Sequence, residues 1–246
     1  MWRSVLIAGR FLTRLPLPDP GPLSGPDLGR SAPAYPLVGL VLGLLLWGLA
    51  RLLGEGGSVE LSAALVLTVW VWMTGALHLD GLADSADAWI GGLGDRERTL
   101  AIMKEPSSGP MAVVVLVLVL LCKWAAIAAL IGKGLTASLI WVPTLARAQL
   151  LLPFLTTPYV RPRGMGAETV AHLTQRAAWV AIGLTLIGSL LHLGVAALEI
   201  GLAGGILFLL WRQAMMSRLG GFTGDTAGAL VELTETLALV VAALSL

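Results

Sequence analysis

Long apolar runs dominate this chain and leave it few possible folds. Seven runs approach the roughly 20 residues that an α-helix needs to cross the hydrocarbon core of a bilayer. None shows the strict alternation of a strand, and a bilayer admits only helices or closed barrels. The sequence therefore predicts an all-α, polytopic membrane helical bundle. The predicted spans are residues 35–53, 61–79, 110–131, 135–155, 177–198, 201–217 and 227–246.

Composition agrees with a membrane location. Hydrophobic residues make up 57% of the 246 residues and charged residues only 13%, whereas a soluble domain is about one quarter charged. The net charge of +1 argues against a nucleic-acid partner, which needs a basic face. The single cysteine, Cys122, excludes an intramolecular disulfide. With neither an internal repeat nor a second domain, residues 1–246 are expected to form one integral-membrane domain, alone or as an oligomer.

The first 34 residues are expected to form an interfacial N-terminal segment. The apolar stretch "SVLIAG" lacks the length and the cleavage site of a secretory signal peptide. Apolar Trp2 and Phe11 are interleaved with Arg3, Arg10 and Arg14, a pattern typical of an amphipathic helix at a membrane surface. The Pro/Gly-rich "LPLPDPGPLSGPD" that follows is not expected to form regular helix.

Basic residues are distributed unevenly over the predicted topology. With the seven spans alternating in direction, twelve arginines and lysines share a side with the N-terminus, and two, Arg51 and Lys133, lie opposite. Positively charged loops stay in the cytoplasm, so the sequence predicts a cytoplasmic N-terminus in a multi-pass protein of the cell (inner) membrane. The twelve are Arg3, Arg10, Arg14, Arg30, Arg96, Arg98, Lys104, Arg161, Arg163, Arg176, Arg212 and Arg218.

Three aspartates follow the second predicted span, in "HLDGLADSADAWIGG". Asp80, Asp84 and Asp87 are spaced i, i+4 and i+7, which places them on one helical face within roughly 60° of one another. No basic residue between Asp80 and Arg96 relieves their repulsion. Clustered carboxylates suit Mg²⁺ or Mn²⁺, and the alternative is an acidic helix end hydrated by the cytosol. His78 is expected to donate a hydrogen bond to a carboxylate.

A second acidic group lies near the C-terminus, in "GGFTGDTAGALVELTE". Asp225 and Glu232 share a helical face, and the topology puts Asp225 on the same side as the triad. The predicted metal ligands are therefore Asp80, Asp84, Asp87, Asp225 and Glu232. Glycines of this stretch, Gly221 and Gly224, let the backbone approach a ligand closely. The alternative for Asp225 is a helix N-cap of the last span.

Basic residues close to the triad are candidates for phosphate binding. Arg96, Arg98 and Lys104 follow it, and Arg147 lies inside a predicted span. Acid-bound metal combined with arginine is the arrangement used in phosphoryl transfer. The alternatives are a solvated charged helix face for the first three residues and a structural ion pair with a buried acid for Arg147.

Four stretches in this order and spacing resemble the cobalamin synthase (adenosylcobinamide-GDP ribazoletransferase) family. They are "FLTRLPLP", "HLDGLADSADAWIGG", "DRERTLAIMKE" and "GGFTGDTAGALVELTE". The resemblance implies a membrane enzyme that uses Mg²⁺ to join α-ribazole, or its 5′-phosphate, to adenosylcobinamide-GDP with release of GMP. It implies catalytic roles for Asp80, Asp84, Asp87 and Asp225, with Asp87 as a candidate base and an active site that faces the cytoplasm.

One stretch departs from that family's pattern, which reads Asp-x-Arg-x-Gly after the basic residue. Here Glu105 takes the place of the acid and Ser107 that of the arginine, while Gly109 is kept. Because serine cannot replace a guanidinium at a phosphate, Lys104 or Arg98 is expected to substitute.

Two other functions are compatible with the acidic pattern. A CDP-alcohol phosphotransferase also displaces a nucleotide at clustered aspartates, although its Ala-Arg motif and wider spacing are missing here. A cation-coupled transporter places its ion site near the bilayer midplane, where only Glu232, Glu235, Arg147 and Lys123 are expected, whereas the triad follows the apolar run.

Overall fold

The computed structural model of the protein describes residues 2–54, 56–162 and 164–245. Within these ranges the regular structure is helical apart from an isolated bridge between Tyr159 and Phe222, which confirms the all-α prediction. Arg163 and Leu246, which the sequence assigned to the cytoplasmic side and to the last span, lie outside the described residues. The α-helices are α1 (Trp2–Leu12), α2 (Gly25–Ser31), α3 (Tyr35–Gly54), α4 (Val59–Thr74), α5 (Leu77–Gly91), α6 (Arg96–Ile102), α7 (Pro110–Gly132), α8 (Ser138–Gln149), α9 (Leu151–Thr156), α10 (Met165–His172), α11 (Gln175–Leu193), α12 (Val195–Leu219) and α13 (Gly224–Ser245).

Helices long enough to cross a membrane account for most of the described chain. Six segments pass by length and apolar composition, and the bent pair α4–α5 is a seventh candidate. The prediction of about seven spans is thereby confirmed. The six are Gly25–Gly54, Pro110–Gly132, Ser138–Thr156, Gln175–Leu193, Val195–Leu219 and Gly224–Ser245.

The second predicted span, 61–79, is wrong at its C-terminal end. Helix α4 stops at Thr74, and α5 turns away from it by 87°. Between them Gly75 and Ala76 both adopt the left-handed conformation, with φ of 62° and 56°. This conformation ends a helix and redirects the chain. The aspartate triad therefore lies on a helix of its own, packed against α13 and α7.

The boundary between the fifth and sixth predicted spans is also misplaced. The sequence predicts spans 177–198 and 201–217, but the chain turns at Gly194 (φ 58°) and α12 begins at Val195. Arg212 consequently lies inside a 25-residue helix instead of ending a short one. A single glycine suffices for this turn because it adopts a positive φ without steric cost.

The centre of the bundle is formed by α13 and by the segment of α8 and α9. In their most apolar stretches 61% and 67% of residues are buried, against 17% in α11. Helix α3 approaches α8 closely through Gly43, where an added Cβ would lie 2.2 Å from the Ile140 carbonyl oxygen. Small residues permit such backbone contact between membrane helices.

Contacts at the two ends of the bundle agree with helices that alternate in direction. At one end the Arg14 amide donates to the Met73 carbonyl, and Arg96 Nε donates to the Leu219 carbonyl at 2.8 Å. At the other end Lys133 Nζ donates to the Ala243 carbonyl at 2.8 Å. The N-terminal segment, the triad and the start of α13 thus share one end, whose cytoplasmic orientation stays a prediction.

The middle of the N-terminal segment, residues 13–24, is irregular, as its proline content predicts. Helix α1 packs against α2 and α3 and buries Leu6, Ile7 and Leu12, while Trp2 remains 69% exposed. The Pro/Gly-rich stretch lacks helix until Gly25, where α2 begins. The last three residues of that stretch are therefore helical, contrary to expectation, because Ser24 and Asp27 form a capping box there.

Candidate active site

Helices α5 and α13 meet at glycines, and this contact brings the two acidic groups together. A Cβ on Gly81 would lie 2.6 Å from the Asp225 carbonyl oxygen. Gly228 faces the His78 backbone, at 3.4 Å from its Cα for an added Cβ. Without side chains at these two positions the backbones pack directly, and Asp225 lies beside the aspartate triad.

The aspartates form a strongly negative cluster. Asp84 experiences the charges of Asp80, Asp87 and Asp225, and the basic side chain found acting on it among the described residues is Arg161. Arg161 Nη2 donates to Asp225 Oδ2 at 2.6 Å. One guanidinium against four carboxylates leaves net negative charge, which favours a cationic ligand.

Asp87 has a structural partner. Its Oδ2 accepts the Gly109 amide at 2.5 Å, and its Oδ1 accepts the Ala112 amide at 3.0 Å. Gly109 is the N-cap residue of α7 and Ala112 belongs to its first turn, where backbone N–H groups have no partner within the helix. A Cβ on Gly109 would lie 2.7 Å from Oδ1, so the residue at 109 must be small. Asp87 thus caps α7 from a distance, a use that competes with its predicted roles as metal ligand and base.

Glu232 and Arg147 lie in a buried ion-pair network rather than with the aspartates. Lys123 Nζ lies 2.5 Å from both Glu232 Oε2 and Glu235 Oε2, and Arg147 pairs with Glu235. All four side chains are almost fully buried. Buried charges in a membrane require partners. The structure therefore places Glu232 apart from the predicted metal ligands and gives Arg147 the ion pair that was its alternative reading.

The predicted phosphate-binding residues after the triad face other groups. Arg96 contacts the Leu219 carbonyl and Glu97. Arg98 belongs to the first turn of α6, and Lys104 is exposed just beyond its end. In the described ranges no ion pair joins any of the three to an aspartate of the cluster.

The predicted glycines have different surroundings. Gly221 abuts the segment before α10, where an added Cβ would lie 2.1 Å from the Pro158 carbonyl oxygen. This contact continues in hydrogen bonds of Phe222 to Pro158 and of Val160 to Phe222, and it fixes the position of Arg161. Gly224 lines a cavity beside Asp225.

The first turn of α13 shows that Asp225 is not the N-cap. Thr223 caps the helix, since its Oγ1 accepts the Thr226 amide at 3.2 Å. The Asp225 carboxylate is consequently available for Arg161 and for a ligand. Sequence reasoning missed Arg161, although "YVRPRG" offered a signal in two arginines around a proline.

A cavity of about 210 Å³ opens beside the aspartates. Asp80 and Asp225 are its acidic lining residues, His78 lines it as well, and most of the remaining wall is apolar, with Phe11 and Leu150 among the lining residues. Tyr159 also lines it, and the pKa of its hydroxyl is raised, mainly by burial, against the opposing effect of Arg161. Such a mixture of apolar wall and few polar groups is typical of a small-molecule site.

A second cavity of about 320 Å³ adjoins the first, and Phe11, Leu77 and Met165 line both. Its charged residues are Arg10, Arg14 and Asp19. Arg14 packs over Gly75 at the bend between α4 and α5. The two neighbouring cavities therefore offer an acidic compartment and a basic one.

The acidic cluster fits a hard divalent cation in charge and in donor chemistry. Carboxylate oxygens are the ligands that Mg²⁺ prefers, and Asp80 and Asp84 have no ion-pair partner in the described residues. No three histidine, cysteine, aspartate or glutamate side chains converge into a ready-made metal site within those residues. The fit of the cluster to Mg²⁺ accordingly rests on the net negative charge of the aspartates, on their exposure and on their closeness to one another.

Comparison with known proteins identifies the family. The family model described as cobalamin-5-phosphate synthase matches residues 4–243. The chain is 54% identical to an adenosylcobinamide-GDP ribazoletransferase of Pseudomonas aeruginosa over 242 residues, 98% of each chain. It is 55% identical to the protein of that name in Stutzerimonas stutzeri over 236 residues, 96% of each chain. No solved structure matches. The chain belongs to the cobalamin-5-phosphate synthase family of membrane transferases.

Proposed function

We propose that this protein joins α-ribazole, or its 5′-phosphate, to adenosylcobinamide-GDP and releases GMP. The family and the names of its relatives support this assignment. The observation that carries it to particular residues is the meeting of Asp80, Asp84 and Asp225 beside one cavity. The comparisons offer no support for the CDP-alcohol phosphotransferase or the transporter.

The reaction is a substitution at phosphorus. A hydroxyl oxygen of α-ribazole forms a bond to the phosphorus that is attached to cobinamide, and the bond from that phosphorus to the GMP oxygen breaks. The hydroxyl proton passes to a carboxylate. Asp80 lines the cavity, whereas Asp87 is engaged with the amides of α7 and Asp225 with Arg161. We therefore assign the proton acceptor to Asp80.

Asp84 and Asp225 are the residues that would hold Mg²⁺, which leaves Asp80 free to accept the proton. When bound, the ion would neutralise charge on the diphosphate oxygens. Arg161, which sits against Asp225, supplies a planar donor suited to a phosphate. Arg10 and Arg14 line the second cavity, beside the first. There they would bind a second anionic portion of the substrates.

The decisive experiment is GMP release by the purified protein. Wild-type protein in detergent or lipid nanodiscs, given adenosylcobinamide-GDP, α-ribazole and Mg²⁺, is expected to form GMP in step with the corrinoid product. A reaction that lacks α-ribazole serves as the control for simple hydrolysis. Failure to form GMP with either α-ribazole or its 5′-phosphate would overturn the assignment.

The end of the bundle that carries the cluster is proposed to face the cytoplasm. In a Cys122→Ala background, Gly57→Cys and Glu97→Cys place thiols at exposed positions on the two ends. A membrane-impermeant maleimide is expected to label position 57 in intact cells and position 97 only after permeabilisation. The reverse pattern would contradict both the orientation and the positive-inside argument.

A further inference from the structure

The buried ion-pair network ends at a residue of the cavity. Glu235 holds Arg147, which is fully buried. The other terminal nitrogen of that guanidinium, Nη2, lies 3.5 Å from His78 Nδ1. His78 is 3% exposed and lines the same cavity as Asp80 and Asp225. The chain of contacts thus runs from the middle of the bundle to the candidate active site.

This contact indicates which nitrogen of the imidazole carries the proton. Arginine has only donors, so His78 Nδ1 must accept. An imidazole that accepts at Nδ1 is neutral and carries its hydrogen on Nε2. The described residues supply no hydrogen-bond partner for Nε2. Nε2 is also not one of the fully buried side-chain atoms that lack a partner, so it is not sealed off from the cavity. The remaining partner for this donor is a molecule in the cavity.

The cost of the network argues that it has a use beyond filling space. Two cations and two acids are buried together in α7, α8 and α13, where well-packed apolar residues of similar volume often serve stability equally well. Moreover, Arg147 Nε is buried without a hydrogen-bond partner. The guanidinium therefore does not sit where its own hydrogen bonds would be best satisfied.

We propose that His78 binds a phosphate oxygen of the substrate through its Nε2–H, and that Glu235 and Arg147 are positioning residues for its ring. This role rests on the proposed function. The imidazole adds a neutral donor to a wall that carries the acidic side chains Asp80 and Asp225. A donor of fixed direction stabilises the negative charge that develops on phosphate oxygens and introduces no further positive charge.

Paired substitutions separate this role from a structural one. His78→Gln places an amide N–H near the position of Nε2, whereas the amide of His78→Asn reaches only the Nδ1 position. We expect His78→Asn to lower kcat about 10²-fold or more, and His78→Gln to recover at least tenfold of that loss, with thermal unfolding similar for both. His192→Asn, which alters a histidine bonded to Trp141 at the periphery, is the control.

Combining a substitution at Glu235 with one at His78 tests whether Glu235 positions the imidazole ring. Glu235→Gln should lower kcat in the wild-type background and have little further effect in His78→Asn, because both changes remove the same oriented donor. If His78→Asn cannot be purified, His78→Phe supplies a donor-free ring of similar size.

The inference is overturned if wild-type protein releases GMP while His78→Asn retains full kcat, or if glutamine rescues no better than asparagine. A wild-type protein without GMP release would instead refute the proposed function. In that case binding of adenosylcobinamide-GDP, followed by corrinoid absorbance in equilibrium dialysis, still reports the His78 contact through a weaker Kd in His78→Asn. An unchanged Kd in His78→Asn would then refute the proposed His78 contact.

Discussion

Asp80→Asn is expected to reduce GMP release by roughly 10²- to 10⁴-fold, the range for loss of a general base. The same change should leave thermal stability in detergent equal to or above that of the wild type. Asp80 and Asp225 both act on Asp84, so removing one negative charge relieves repulsion in the folded state. GMP quantification and thermal unfolding on the same preparations measure the two effects.

The control for this variant is Glu97→Gln, an acid at the same end whose side chain is 82% exposed. It should match the wild type in both activity and stability. If Asp80→Asn proved unstable but active, Asp80 would be a structural residue and the proton acceptor would have to be sought elsewhere in the cluster.

Asp87→Ala is expected to lower thermal stability, in contrast to Asp80→Asn. The change leaves the Gly109 and Ala112 amides at the start of α7 without their acceptor. Loss of a helix cap costs about 0.5–2 kcal/mol, and displacement of α7 should also lower activity. Thermal unfolding in detergent, compared with Asp80→Asn, gives the sign of each effect.

Asp87→Asn is the matched variant because it keeps one carboxamide oxygen as an acceptor. Its stability should lie between that of Asp87→Ala and that of the wild type. If Asp87→Ala were fully stable and inactive, Asp87 would regain the role of metal ligand or base that the family resemblance implied.

The helices and the common helix of the three aspartates were accessible from the sequence because they depend on local pattern. Apolar runs of sufficient length predicted the spans, and i, i+4, i+7 spacing predicted one face for the triad. Gly75 is a residue type that commonly ends a helix, but Ala76 carries no sequence signal for its left-handed conformation. The 87° turn therefore followed only from the structure.

The partners of individual charges were not accessible, because they depend on helices far apart in the chain. Asp87 meets residues 22 and 25 positions later, and Lys123 meets Glu232 across 109 positions. A carboxylate that caps a distant helix and one that faces a cavity look alike in sequence. Arg161 was missed for the same reason, since its role depends on Asp225, 64 positions away.

We propose, as the central claim, that acids from α5 and α13 form one magnesium-dependent site. Its most direct test is a double-mutant cycle of Asp84→Asn and Asp225→Asn, read as the Mg²⁺ concentration for half-maximal GMP release and as Mn²⁺ binding by EPR. Each single change should weaken metal affinity about tenfold or more. The double variant should lose less than the sum of the two free energies, because the first change already breaks the shared site. Strict additivity, or an Asp225→Asn protein with an unchanged Mg²⁺ requirement, would contradict the account.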